Sequence, residues 1–117
     1  MEDSKKILER YEKETGSVGK HLKVMAAENP ELLKAYLNLR SVILANEGVL
    51  ARKTKELILL GIFAASRFEP GIEIHARGAM KAGATRREIF ETISLALLAA
   101  GVPGFFAGIR ALELKET

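Results

Sequence analysis

The spacing of apolar residues along the chain is typical of helices rather than strands. An apolar side chain recurs every three or four positions within a charged segment near the N-terminus, which predicts an amphipathic first helix from about Ser4 to Glu14. Asn29 followed by Pro30 is a helix-start signal, because Asn caps a helix well and Pro is tolerated at its first position. We therefore expect a second long helix after Asn29.

Polar residues and glycines mark the ends of two central helices. Thr54 is placed to cap a third helix that runs to about Ser66. Glu69-Pro70 opens a fourth helix, and Gly83 closes it, since the left-handed residue that ends a helix is usually glycine. The middle of the third helix is apolar on all sides, so neighbouring helices or another subunit must cover it.

The remaining sequence predicts two more helices. Thr85 and Glu88 match a capping box, in which each side chain accepts a hydrogen bond from an otherwise unpaired backbone N–H. The fifth helix loses its polar face from Ile93 to Ala100, and Gly101-Val102-Pro103 ends it and begins the last helix. Two helices that are apolar on all sides present more apolar surface than one small domain can bury. We therefore expect an all-α protein of about six helices that self-associates.

Composition favours one compact domain over residues 1–117. The chain has 48% hydrophobic residues and no Trp, and a domain of this size buries a modest core. The net charge of +3 is mild and the basic residues alternate with acidic ones, so nucleic-acid binding is not favoured.

The N-terminus carries no secretory signal pattern, and the longest apolar stretch, Leu57 to Ala65, is about half of what spans a bilayer. We expect a cytoplasmic protein without a membrane partner.

The absence of cysteine removes several kinds of chemistry at once. Disulfides, thiolate metal sites and thiol catalysis all require a residue that the chain lacks. Two separated histidines, His21 and His75, are too few for a convincing metal site. The sequence also has no phosphate-binding loop, nucleophile elbow or dinucleotide fingerprint. We therefore expect neither a metal nor a cofactor.

His75 is the leading candidate for chemistry because it lies on a small, apolar face of the fourth helix. Gly71 and Gly78 lie four residues before it and three after it. Each glycine within a helix costs about 1 kcal/mol relative to alanine, so this pair indicates close backbone packing or space for a ligand. The alternative is a core histidine at a tight helix crossing.

Charged residues near this face are further candidates. Glu56 lies in the first turn of the third helix, where it interacts favourably with the helix dipole; near His75 it would instead orient the imidazole. Glu73 and Arg77 are four apart and predict an ordinary surface ion pair. The long guanidinium of Arg77 could alternatively reach the rim of a pocket, and Arg67 is a further candidate for binding an anionic substrate.

Three segments between residues 55 and 111 resemble one family. They read KELILL, EIHARGAMKAGATRREI and AAGVP, in that order. Their order and spacing are similar to those of the carboxymuconolactone decarboxylase family, which includes the AhpD-type alkylhydroperoxidases. The resemblance implies an all-helical domain that assembles into homo-trimers or homo-hexamers.

The two branches of that family make different use of the segment around His75. In the peroxidase branch, a Cys-x-x-Cys pair falls at the positions of Phe68 and Gly71, neither of which can form the thiolate that peroxide reduction needs. The decarboxylase branch keeps a histidine followed by Leu-Arg-Gly-Ala, and this chain has Ala-Arg-Gly-Ala after His75. The resemblance therefore implies the decarboxylase chemistry.

That chemistry is removal of CO2 from 4-carboxymuconolactone without a cofactor. By resemblance, His75 is the general acid/base, Glu56 orients it, and Arg77 binds the small anionic substrate, with Phe68 and Gly71 also at the binding site. Arg67 stays a candidate from its charge and position alone. A different hypothesis is a non-catalytic homo-oligomeric binding or scaffold protein that keeps the fold without the redox centre. A peroxidase that borrows a partner's cysteine has no docking surface in the sequence to support it.

Overall fold

The computed structural model describes residues 3–45 and 48–115, which are helical throughout most of their length. Within these residues there are six α-helices and no strand, which confirms the all-α prediction. The helices are α1 (Ser4–Thr15), α2 (Lys20–Glu28), α3 (Pro30–Leu44), α4 (Arg52–Ala65), α5 (Glu69–Lys81) and α6 (Arg86–Gly108), followed by a 3-10 helix at Ile109–Leu112. The chain divides into two compact units after Ala45. The expectation of one domain over residues 1–117 stays a prediction.

The first unit holds α1 to α3 around a small apolar core of Ile7, Tyr11, Leu22 and Leu33. The predicted start of α3 is confirmed. The Asn29 side chain accepts a hydrogen bond of 3.1 Å from the backbone N–H of Leu32, the third residue of the helix. Helix α2 was not among the predicted elements.

The second unit is built around α4, which packs against both α5 and α6. Its core consists mainly of aliphatic residues from these three helices, including Leu60, Ile72, Ile89 and Ile93. This arrangement buries part of the surface of α4, whose middle is apolar on all sides. It also brings Glu56, which lies beyond the first turn of α4 and not within it as predicted, next to the middle of α5.

The prediction that Thr54 caps α4 is wrong. The helix begins earlier, at Arg52, because Ala51 has the extended backbone of an N-cap and its carbonyl accepts the N–H of Lys55 at 3.0 Å. No side chain caps this end. Thr54 therefore lies inside the first turn rather than in front of it.

The capping box that starts α6 is confirmed. The Glu88 backbone N–H donates to Thr85 Oγ1 at 3.1 Å, and the Thr85 N–H donates to Glu88 Oε1 at 2.9 Å. Lys53 Nζ on α4 lies 3.0 Å from the other Glu88 oxygen. The hydrogen bond from the Thr85 backbone, followed by the one from Lys53, lowers the pKa of Glu88 below its usual value.

Replacing Thr85 with alanine is expected to destabilise the protein by about 1 kcal/mol, because it leaves a helix N–H without its acceptor. Thr54→Ala is the matched control, since Thr54 lies within a helix whose start has no side-chain cap. Its substitution should change stability by less than about 0.7 kcal/mol, the range of helix propensity. Urea unfolding of both variants measures the difference, and equal losses would contradict the capping role.

Helix α6 is broken at Gly101, as the sequence predicted. This residue has φ 73° and ψ −169°, a conformation outside the helical region that glycine adopts without steric cost, and Pro103 follows within the next turn. From Arg86 to Leu112 the chain is long and apolar enough to cross a membrane by length and composition, and 28% of its most apolar window is buried. The break leaves two pieces, each shorter than the roughly 20 residues of a spanning helix.

Candidate active site

Glu56 and His75 form a hydrogen-bonded pair between α4 and α5. The Glu56 Oε1 atom lies 3.0 Å from His75 Nδ1, and the two side chains are 1% and 12% exposed respectively. An ionised carboxylate only accepts hydrogen bonds, so it pairs with the tautomer of His75 that carries a proton on Nδ1. The other ring nitrogen, Nε2, takes no part in this pair. Sequence reasoning named both residues, and the structure brings them together.

The missing side chain of Gly78 makes room for the Glu56 carboxylate. A Cβ atom built on Gly78 would overlap Glu56 Oε2 and lie 2.6 Å from its Cδ. The α5 backbone therefore lies directly against the Glu56 carboxylate. Of the two roles expected for the glycines, Gly78 serves close packing. Removing a carboxylate from water costs several kcal/mol, which only good hydrogen bonding offsets, and the His75 imidazole supplies such a bond.

The Phe63 ring of α4 lies parallel to the imidazole of His75. Its ring centroid is 5.4 Å from that of His75, and the two planes differ by 8°, which is a stacked arrangement. The same ring lies over Gly71, where a Cβ would approach Phe63 Cγ to 2.5 Å. It also contacts Phe68 at a ring centroid distance of 5.5 Å. The space at both glycines of the small face is thus filled by side chains from α4.

Arg77 lies in an ion-pair network on α5. Its Nη2 donates to Glu73 Oε1 at 3.3 Å, so the predicted ion pair is present. The second oxygen of Glu73 accepts from Arg110 Nη2 at 3.2 Å, which ties α5 to the 3-10 helix. The Nε of Arg77 is buried and has no hydrogen-bond partner. The cluster contains two cations and one anion, so it carries net positive charge.

The remaining predicted binding residues lie around the start of α5. Arg67 is exposed and has a positive φ of 57°, and Phe68 is the N-cap residue of α5 with 48% of its surface exposed. Gly71 is buried beneath the Phe63 ring. In the structure, Phe68 and Gly71 both contact Phe63. Their roles in substrate binding stay predictions.

Sequence reasoning did not assign roles to Phe63 or Arg110. The sequence does indicate that Phe63 lies near the pair, because it follows Glu56 by seven residues and so shares its helix face. No such indication exists for Arg110, because its contact with Glu73 joins residues 37 positions apart.

A cavity of about 420 Å³ lies in the first unit, between α1 and α3. Its lining includes the charged side chains of Arg10, Glu14, Lys34 and Arg40, and it contains none of the predicted site residues. Across residues 3–45 and 48–115, no three His, Asp or Glu side chains come together as a set that could hold a metal ion.

The fold and the site define a cysteine-free, all-helical protein with a buried carboxylate–imidazole pair between two of its helices. Residues 30–114 match the carboxymuconolactone decarboxylase family. The chain belongs to this family, which confirms the resemblance seen in the sequence.

The chain is also similar to individual proteins, two of which carry this family's name. A crystal structure of a candidate carboxymuconolactone decarboxylase from Burkholderia xenovorans LB400 is 32% identical, with a TM-score of 0.80 over 94% of this chain and 89% of that one. A carboxymuconolactone decarboxylase family protein from Legionella pneumophila, crystallised in its apo form, is 30% identical, with a TM-score of 0.74 over 89% of this chain and 92% of its own. An uncharacterised protein from Methanocaldococcus jannaschii is 32% identical over 81% of this chain and 91% of its own length.

Proposed function

We propose that the protein is a cofactor-independent lyase of the decarboxylase type, acting on a small anionic lactone or a related carboxylate. The observation that carries this proposal is the hydrogen bond between buried Glu56 and His75 Nδ1. A carboxylate in this position holds an imidazole in one tautomer and one orientation, as in hydrolases where an acid positions a catalytic histidine. His75 is thereby prepared to exchange a proton through Nε2.

The proposed reaction requires one proton and no redox change. The bond between the substrate carbon and its carboxylate breaks, CO2 leaves, and the electron pair passes into the conjugated lactone carbonyl to give an extended enolate. The protonated Nε2 of His75 then gives its proton to carbon, and solvent restores it. Glu56 does not take up the proton; it stabilises and orients the ring throughout.

Arg77 is our choice for the group that holds the substrate anion. Its buried Nε–H has no partner, and an N–H donor in that state gains from binding a carboxylate oxygen. Glu73 fixes the other end of the guanidinium through Nη2 and is itself shared with Arg110. The excess of one positive charge in this cluster favours an anionic ligand over a neutral one.

We also propose that the protein works as a homo-trimer or homo-hexamer. Four apolar residues on α6 are from 67% to 87% exposed: Leu95, Leu98, Val102 and Phe106. Ile58 and Ile62 on α4 are about half exposed as well. Contiguous apolar surface of this kind usually marks an interface, and closed symmetric assemblies are the commonest way to bury it.

The test of the function is the reaction of purified protein with 4-carboxymuconolactone in the presence of a metal chelator. We expect release of one CO2 for each lactone consumed, and in D2O the incorporation of one deuterium on carbon, because the proton comes from an exchangeable nitrogen. Lactone that decays no faster than in buffer alone would contradict the proposal for this substrate.

A second candidate function is a non-catalytic homo-oligomeric binding or scaffold protein. The observation that favours it is the close packing around His75, whose ring lies parallel to that of Phe63 and whose side chain is only 12% exposed. In that case, substitutions at His75 would change thermal stability or assembly while no lactone is consumed. The same assay therefore separates the two functions.

A further inference from the structure

We propose that Phe63 is a positioning residue that sets the plane of the His75 imidazole and so the direction of Nε2. This inference rests on the proposed acid/base role of His75. The evidence is the stacked pair, with ring centroids 5.4 Å apart and planes 8° from parallel.

The hydrogen bond between Glu56 Oε1 and His75 Nδ1 is 3.0 Å long and orients the ring, but it tolerates some tilt of the ring plane, because hydrogen bonds weaken steeply only below an angle of about 120°. A parallel aromatic ring beside the imidazole limits that tilt. Glu56 and Phe63 are seven residues apart and lie on one face of α4, so one helix supplies both constraints.

Gly71 allows the Phe63 ring to pack directly against the backbone of α5. The Phe63 ring lies flat against this glycine, since its Cγ, Cδ2 and Cδ1 atoms would all lie within 2.8 Å of a Cβ there. Gly71 and His75 are four residues apart, so the ring spans one turn of α5. Phe68 adds a tilted contact at 5.5 Å. Phe63 therefore has little freedom to slide away from the imidazole.

The direct test is the NMR spectrum of the His75 ring protons in Phe63→Leu. The ring current of Phe63 alters the chemical shifts of these protons, so its removal should move them to the positions of an imidazole without an aromatic neighbour. Phe63→Tyr keeps the ring and should keep the shifts. The control is Phe90→Leu, which removes a partly buried ring that packs edge-on against Phe105 on α6. It should leave the His75 signals unchanged.

A second variant alters neither ring. Gly71→Ala introduces a Cβ that would meet Phe63 Cγ at 2.5 Å, so it should displace the phenyl ring and move the His75 signals in the same direction as Phe63→Leu. His75 signals that stay in place in both variants would overturn the stacked arrangement in solution.

The kinetic readout is the effect on turnover. Phe63→Leu should lower kcat for the lactone about 10- to 100-fold with little change in KM, because misdirection of Nε2 affects the proton transfer more than binding. Phe63→Tyr should restore turnover. A Phe63→Leu protein with shifted His75 signals and the turnover of its parent would overturn the positioning role. If no variant, parent included, consumes the lactone, the proposed function fails, while the NMR shifts still decide whether Phe63 stacks beside the His75 ring.

Discussion

Replacing His75 with asparagine is expected to lower kcat for lactone decarboxylation by about 100- to 10,000-fold, the usual contribution of a general acid or base. The asparagine amide N–H lies near the position of Nδ1, so it can still donate to Glu56 Oε1. The group at Nε2 that exchanges a proton is lost. Thermal stability should stay close to that of the parent protein, because the buried carboxylate keeps a donor.

His21→Asn is the matched control for this substitution. His21 is exposed on α2 and its ring meets Tyr36 edge-on at 6.2 Å, in the first unit of the chain. It has no part in the proposed chemistry, so its loss should leave kcat unchanged. Steady-state CO2 release from both variants measures the effect. Full activity in His75→Asn would remove the histidine from the mechanism.

Gly78→Ala is expected to produce the largest loss of stability, about 2 to 4 kcal/mol. The new Cβ would overlap Glu56 Oε2 and push the carboxylate away from His75. Separating the two members of a buried charged pair costs about 3–5 kcal/mol. The higher helix propensity of alanine returns only about 1 kcal/mol. Decarboxylation should fall together with stability, since Glu56 then no longer orients the imidazole.

The control for this variant is Gly61→Ala on α4. Its Cβ would lie 3.5 Å from Thr92 Cγ2, an ordinary van der Waals contact, so the alanine fits. We expect a stability change between zero and a gain of about 1 kcal/mol from helix propensity. Urea unfolding at neutral pH compares the two glycines. A Gly78→Ala protein as stable as Gly61→Ala would mean that Glu56 does not lie against α5 in solution.

The helices were predictable where their ends carry a local chemical signal. Asn29 and Thr85 each cap a helix through a side-chain oxygen, and Gly101 breaks one through its backbone, so sequence alone located all three. Thr54 has the same side-chain hydroxyl as Thr85 but caps no helix, because the N-cap residue of α4 is Ala51, which makes no side-chain hydrogen bond. Helix α2 has no side-chain cap at its start either, and its nine residues were too few for a clear periodicity.

The candidate site was predictable in its residues but not in its contacts. Glu56 and His75 were chosen from sequence, yet their hydrogen bond depends on how α4 crosses α5, which no local pattern encodes. The two glycines indicated either close packing or space for a ligand, and only the structure shows which. Phe63 fills the space at Gly71, and Glu56 fills the space at Gly78.

Glu56 and His75 are expected to act as one unit in proton transfer. The most direct measurement is a double-mutant cycle on kcat for the lactone, with Glu56→Gln, His75→Asn and the double variant. Because Glu56 works only through the imidazole, the double variant should be no slower than His75→Asn alone. Losses that multiply in the double variant, or a parent protein that does not release CO2, would contradict the account.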